Sequence, residues 1–357
     1  MASELKFLIF GAGAIGTYFG GSLALGANSV TFVEREKNVE ELKSRGLRLD
    51  LTLDERRNTK EAFLVEPRKF VVESSLESAL RFGPFDVAIV ALKSYDMPAL
   101  IETMKPFAEK IPPILCLSNG VDNETLIAQA LGKDKVIYGT VTTAVRKRNV
   151  GDVVLEKLRG VGVATGHVLS EKIVSIFDEA FLKCKLYPDA LRMKWSKMLS
   201  NLIANPTSAI LNMTAKQILQ NKKLYKLEIE MLKECLAVMN AMNLEVVDVP
   251  GTPVRAIAFA TKIPLWISKP IFSRVAGSGR GNKMPSFHID LYAGHGKSEV
   301  DYLHGAVVRE GKKLGIPTPV NELLTNTLLA LTKKEIPLEE FANQPEKLLA
   351  KLKSPSS

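Results

Sequence analysis

The fold class predicted for this chain is α/β: a doubly wound parallel sheet in an N-terminal domain, followed by a mostly α-helical C-terminal domain. Three observations predict it. Apolar runs of strand length alternate with amphipathic stretches through the first half, the first run enters a glycine-rich turn, and from about Pro188 long helical periods take over. In order, the strand-like runs are KFLIF, SVTFV, FDVAIVAL, PILCL and KVIYG, with amphipathic stretches at 38–45, 97–109 and 123–131. Further short strands are expected near 62–72, 152–157 and 161–165. The later half reads as helices, as in LYKLEIEMLKECLAVMNAMNL and SEVDYLHGAVVREGKKLG. Domains of 1–188 and 189–357 follow, with no coarse internal repeat. GSGRGNK at 277–283 reads as a flexible loop.

Composition narrows the class of protein. The chain has 357 residues, 46% hydrophobic and 24% charged, which is ordinary globular material with room for two domains. Cys116, Cys184 and Cys235 stand far apart, which argues against a disulfide framework or zinc site and makes a reducing cytoplasm the expected compartment. The start could pass for a signal peptide, but Glu4 sits in the would-be basic region and glycines interrupt the apolar run. No segment offers the roughly 18 apolar residues of a membrane span. The net charge of +9 is partly local: no acidic residue lies between Val249 and Ile289, where Arg255, Lys262, Lys269, Arg274, Arg280 and Lys283 fall. That balance suits a solvated basic face or an anionic small molecule better than a nucleic-acid stripe.

The motif that opens the chain carries the first functional reading. KFLIF runs into Gly11-Ala-Gly13-Ala14-Ile15-Gly16, and the second strand SVTFV follows within the span that a dinucleotide fingerprint requires. Gly11 permits the turn, Gly13 lets the backbone approach a pyrophosphate, and Gly16 allows close packing. The helix that starts at Ala14 and Ile15 offers its N–H groups and positive dipole end to phosphate. The sheet is therefore expected to be Rossmann-type. At the end of the second strand stand Glu34, suited to the ribose 2′-hydroxyl of NAD, and Arg35, suited to the 2′-phosphate of NADP. These residues alone leave the choice split.

In WSKMLSNLIANP, residues 195–206, Lys197, Asn201 and Asn205 recur every fourth position in an otherwise apolar segment. On a helix they stack on one face, and burying such a stripe without partners costs a few kcal/mol per group. Pro206 disfavours α geometry at Asn205, so a kink or helix end there would free backbone groups beside the stripe. Asn119 and Lys93 each follow a predicted strand, at the carboxyl edge where ligands of such sheets bind.

Together these residues resemble the ketopantoate reductases (2-dehydropantoate 2-reductases). The resemblance rests on GAGAIG, Arg35, Lys93 in ALKSYD, Asn119-Gly120 in LSNGVDN, the Lys197/Asn201/Asn205 spacing, and PSFHID followed by SEVDYLHGAVVREGKKLGIPTPVNE. It runs from about residue 5 to about residue 330. It implies a Rossmann-type domain and a helical domain with substrate held in the cleft between them. The implied reaction is NADPH-dependent reduction of 2-dehydropantoate to pantoate, a step of pantothenate and coenzyme A biosynthesis. Lys197 would then be the general acid, which fast transfer favours if desolvation or a nearby cation lowers its pKa. Asn201 and Asn205 would bind substrate oxygens and position Lys197, Ser286 would contact the carboxylate, and Glu299 would join Lys197 as a catalytic residue by binding a substrate hydroxyl and helping to orient the lysine. Asn119 would bridge cofactor and substrate, Lys93 would lie near cofactor and ketone, and Arg35 would favour NADP(H). A homodimer through the helical domain is implied by the family alone.

Some features stand outside this pattern. The stretch TKIPLWISKPIFSRVAGSGRGN reads as a longer, more basic loop than the family's, and Lys283 stands where an asparagine is usual. Another branched or aromatic 2-oxo acid therefore remains a second substrate reading, and a non-catalytic NADP-sensing regulator a third. GHGKS at 294–298 lacks the first glycine of a phosphate loop, and His167, His288, His295 and His304 lack the spacing of metal ligands, so no metal is expected.

Overall fold

A computed structural model of the chain describes residues 4–277 and 283–352; most of the glycine-rich stretch 277–283 lies outside the described residues. The chain forms two compact units. The first comprises Met1–Ser118, Asp122–Met193 and Val249–Thr252, the second Asn119–Val121, Lys194–Asp248 and Pro253–Ser357.

Alternation of apolar side chains builds the first unit. Its strands are β1 (Lys6–Phe10), β2 (Ser29–Val33), β3 (Leu47–Asp50), β4 (Phe63–Val65), β5 (Val71–Glu73), β6 (Val87–Val90), β7 (Ile114–Cys116), β8 (Val136–Val141), β9 (Ala144–Asn149), β10 (Asp152–Lys157), β11 (Val161–Ala164) and β12 (Cys184–Tyr187). The main sheet runs β12-β11-β8-β7-β6-β1-β2-β5. From β5 to β8 every pairing is parallel, the strand order of a doubly wound nucleotide-binding sheet. Successive side chains feed opposite cores: Phe7 and Ile9 of β1 enter one, Leu8 and Phe10 the other. Helices α1 (Ala14–Leu25), α2 (Glu36–Arg45), α3 (Leu76–Ala79), α4 (Met97–Met104), α5 (Asn123–Leu131) and α6 (Ser170–Glu179) connect these strands.

The fold class is as the sequence predicts, with local differences. The span 62–72 holds two strands of different sheets, because β4 joins β3, β10 and β9 in a second, four-stranded sheet while β5 closes the first. LRLD, AVRKRN and CKLY form the strands β3, β9 and β12, which charge obscured: β9 is largely exposed at an edge, where charged side chains discourage further pairing.

Beyond β12 the chain is helical: α7 (Ala190–Leu202), α8 (Asn205–Leu211), α9 (Ala215–Gln220), α10 (Lys222–Ala241), α11 (Val254–Ala260), α12 (Leu265–Gly277), α13 (Ser286–Tyr292), α14 (Val300–Leu314), α15 (Pro319–Thr332) and α16 (Pro345–Lys351). Most of the stretch read as a basic loop is thus helix α12. Pro264 and Pro270 hid it, yet buried Ser268 meets Tyr225 of α10 at 2.7 Å and Phe272 packs edge-on against the same ring. No helix among the described residues is long and apolar enough to cross a membrane.

Among the described residues of the second unit, His304 is a buried group whose titration bears on stability. His304 of α14 is fully buried, its Nδ1 lies 3.0 Å from Asn321 Oδ1, and its ring meets Phe287 of α13. Asn321 donates in turn to Glu234 of α10, whose carboxylate also accepts the Val320 and Asn321 backbone N–H groups that start α15. Burial pushes the His304 pKa down to about 3, only partly offset by the Asn321 bond. Between about pH 3 and 6.5 the unfolded chain therefore binds a proton that the folded chain refuses. Stability from this group is complete above pH 6.5 and falls as pH drops through that window, by up to roughly 1.4 kcal/mol per unit. Glu234, raised by burial, contributes the opposite slope where it titrates. His304→Gln keeps a bond to Asn321 but no titration. Urea unfolding across pH 4–7 should show its stability falling less steeply on acidification than that of the wild type; parallel curves would contradict this origin.

Candidate functional site

In the first unit the geometry centres on the turn between β1 and α1. Gly11 has φ +88°, and a Cβ on Gly16 would lie 2.0 Å from Gly11 O, so both positions demand glycine. At Gly13 an added Cβ meets nothing within 4 Å. The loop is open on that side and closed at Gly16. α1 has neither a side-chain cap nor an acidic residue in its first turn, so the N–H groups of Ala14 and Ile15 and the positive end of the helix stay uncompensated. These features fit the pyrophosphate of a dinucleotide.

Ala12 between the glycines is fully buried. Its carbonyl accepts from Thr17 Oγ1 at 2.9 Å and from Gly151 N at 3.3 Å, and its N–H donates to Glu34 Oε2 at 2.5 Å. Glu34 Oε1 also accepts from Arg35 N at 2.8 Å and Asn38 Nδ2 at 2.9 Å. Arg35 is exposed, and its guanidinium has no hydrogen-bond partner among the described residues. Lys93 follows β6 and caps a short 3-10 turn, Ser94–Asp96. That edge is tied together by Ser118 Oγ donating to Leu92 O (2.8 Å) and Asn123 Nδ2 donating to Ser94 Oγ (3.1 Å).

The second unit gathers most of the remaining candidates. α7 buries Trp195, Met198, Leu199 and Leu202 at helical spacing, which turns Lys197 and Asn201 to another face, both half-buried. Lys197 Nζ donates to Asn201 Oδ1 at 2.6 Å, and Asn201 Nδ2 donates to Asn119 Oδ1 at 3.2 Å. The two contacts fix which end of the Asn201 amide faces the ammonium. Asn205, buried in the first turn of α8, donates from Nδ2 to Asn201 O at 3.3 Å and accepts from Phe287 N at 3.2 Å. Its side chain thereby holds the start of α13, whose first residue is the exposed Ser286. Gly120 comes so near α14 that a Cβ would sit 2.8 Å from Tyr302 O. Tyr302 N donates to Glu299 O at 3.0 Å, so the turn carrying Asn119 lies against the first turn of α14. Glu299 is the N-cap residue of α14 and is 1% exposed, so it is not the surface glutamate that such a position often holds.

Sequence reading missed a residue that shapes this cluster. α7 ends at Leu202 and α8 begins at Asn205; between them Ala204 takes the left-handed conformation at φ 52°. Pro206 stands in the first turn of α8, where its missing N–H costs nothing. The Ala204 N–H that the break frees donates to Glu228 Oε2 at 2.7 Å, and Thr207 Oγ1 donates to Oε1 at 2.6 Å. Glu228 is wholly buried in α10. The available signal was a carboxylate on the same helical stripe as Leu224, Met231 and Cys235, all buried.

The comparisons with known proteins agree with this architecture. Residues 7–165 match the family model of ketopantoate reductase PanE/ApbA, and residues 189–332 that of its C-terminal domain. The 2-dehydropantoate 2-reductase of Archaeoglobus fulgidus is 28% identical over 323 residues, covering 89% of this chain and 95% of its own. Among solved structures, a PanE/ApbA family ketopantoate reductase from Ralstonia eutropha superposes with a TM-score of 0.76 at 25% identity, over 93% of this chain and 99% of its own. D-mandelate dehydrogenase, solved with NADH and anilino(oxo)acetate, shares the fold with a TM-score of 0.71 at 21% identity, over 92% and 99%.

Glu228→Ala leaves the Ala204 N–H and the Thr207 hydroxyl buried without this acceptor. Urea unfolding should show a loss of about 3–5 kcal/mol, or no folded protein, as for breaking a buried charged network. A loss below about 1 kcal/mol would mean that the junction does not depend on this carboxylate.

Proposed function

The chain belongs to the ketopantoate reductase family, and from that premise we propose that it reduces 2-dehydropantoate to pantoate with NADPH. The observation that carries this reading is the hydrogen-bonded row from Lys197 through Asn201 to Asn119. A 2-oxo acid needs a proton donor at the ketone oxygen, a group for its carboxylate and, for this substrate, a partner for its hydroxyl. The proposed assignments are Lys197, Ser286 and Glu299 respectively. The glycine turn of residues 11–16 and Arg35 would hold the nucleotide, with Lys93 near it. A reduced nicotinamide held there would supply the hydride for the ketone carbon.

The rest of the step belongs to the chain's own side chains. The Lys197 ammonium lies against the ketone oxygen, draws electron density toward it, and gives up one proton as the alkoxide develops; water returns that proton afterwards. Asn201 aims the ammonium through its carbonyl end. Asn205 spends its acceptor on Phe287 N and keeps one amide hydrogen for a substrate oxygen, so it both positions Ser286 and binds. Asn119 reaches substrate from the turn that Gly120 presses on α14.

The basic stretch before Ser286 motivates one further reading, the same chemistry on another branched or aromatic 2-oxo acid. Its role would be to contact the part of the substrate remote from the ketone.

Purified protein should oxidise NADPH when given ketopantoate, faster than with any other member of a 2-oxo acid panel. A better rate with another acid would favour the second reading, and no turnover with any acid would remove both. Lys197→Ala should lower kcat about 10²–10⁴-fold while the Kd for NADPH stays within about twofold. Undiminished turnover would exclude Lys197 as the acid.

A further inference from the structure

Glu34 occupies the position that usually reads the ribose, immediately before the arginine suited to a 2′-phosphate. We propose that Glu34 is a brace of the phosphate-binding turn and takes no part in reading the ribose, leaving Arg35 to choose the nucleotide. The inference rests on the dinucleotide reading of that turn.

Its hydrogen bonds carry the argument. Three N–H donors converge on the Glu34 carboxylate: Ala12 N at 2.5 Å, Arg35 N at 2.8 Å and Asn38 Nδ2 at 2.9 Å. Ala12 is 0% exposed, so its N–H has no water to fall back on. Three donors take three of the carboxylate's roughly four acceptor sites, and swinging it out to a ribose hydroxyl would strand the Ala12 N–H, whereas a hydroxyl left beside Arg35 can still be solvated. The exchange gives up a charged bond in a buried place for one at the surface, and the penalty for an unmade buried bond decides against it. The loop is also built around the contact. Ala12 O is held by Thr17 Oγ1 and Gly151 N, and Gly11 N donates to Val33 O at 2.9 Å. Ala12 N–H is thus the fourth tie of a turn whose open side is Gly13.

A second consequence concerns charge. Glu34 would ordinarily repel a 2′-phosphate. Here its charge is spread over three donors, two of them backbone N–H groups, one at the N-terminus of α2. Arg35, with no partner of its own among the described residues, keeps its guanidinium for the ligand.

The test compares NADPH and NADH binding to wild type, Glu34→Gln, Glu34→Ala and Arg35→Ala by titration calorimetry. Hydrogen exchange of residues 10–16 is followed in the unliganded proteins. Glu34→Ala should raise both Kd values by one common factor, on the order of tenfold, leaving their ratio within about twofold of wild type. Glu34→Gln retains an acceptor for Ala12 N and should fall between, which keeps the test open if the alanine variant does not fold. Exchange at the turn should speed up in both variants. Arg35→Ala should shift the ratio about tenfold or more against NADPH. The proposal is overturned if Glu34→Ala weakens NADH alone, if turn exchange is unchanged, or if Arg35→Ala leaves the ratio as it was. A wild type that prefers NADH would count against the NADPH reading above. The equal loss in the Glu34 variants would still establish the brace.

Discussion

The arrangement of the proposed substrate-binding residues depends on one broken helix. Had α7 continued through residue 205, Lys197, Asn201 and Asn205 would form a simple stripe, and Asn205 would sit one turn beyond Asn201 on a single axis. The left-handed Ala204 turns the chain instead, and Asn205 opens a new helix from which its side chain reaches Phe287 N. One break therefore couples the end of α7, the start of α8 and the start of α13. Left-handed alanine costs about 1–2 kcal/mol on its own. It persists because Glu228 receives the N–H that the turn exposes, and because Pro206 asks for no partner.

How much of this was legible in the residues follows from what kind of signal each part sends. Glycine needs and strand alternation are local, so the first unit's central strands and the turn at Gly11–Gly16 could be read directly. The four-residue recurrence of Lys197, Asn201 and Asn205 was equally visible, and Pro206 flagged a break. The direction of that break was not visible. Proline reads as a terminator from its left and as a first-turn residue from its right, and only the partner of Ala204 N distinguishes the two. That partner, Glu228, lies in another helix twenty-four positions away, where it looks like one more charge among Lys226, Glu230 and Lys233. Helix α12 was missed for a related reason. Its prolines are strong local signals, whereas the contacts of Ser268 and Phe272 with Tyr225 that hold it are not local at all.

The same device recurs at three junctions. Glu228 receives Ala204 N, Glu34 receives Ala12 N, and Glu234 receives Val320 N and Asn321 N. In each case the backbone leaves regular structure or enters a helix, an N–H is released away from water, and a carboxylate from a distant segment meets it. A carboxylate suits the task because two oxygens accept several donors at once, and bonds to a charged acceptor are stronger than bonds to a neutral one. Two of the three junctions carry proposed site residues, the phosphate turn and the Asn201–Asn205 step. The third starts α15, whose Asn321 side chain continues to His304 and, through ring contact, to Phe287.

That third junction closes the chain of dependence. Phe287 receives support from two directions: its N–H from Asn205 in α8, and its ring from His304 in α14. Because it adjoins Ser286, any change that loosens either support alters where the Ser286 hydroxyl stands without touching it. Protonating His304 within the core would do so, since an imidazolium there has lost water and has, among the described residues, Asn321 as its hydrogen-bond partner. The burial that depresses its pKa is thus the same burial that keeps the ring against Phe287, and a neutral His304 is a condition for the geometry of α13. A buried histidine in this place is better understood as a fixed wedge between helices than as an acid or base, which is why it can sit beside a proposed active site and remain outside the chemistry.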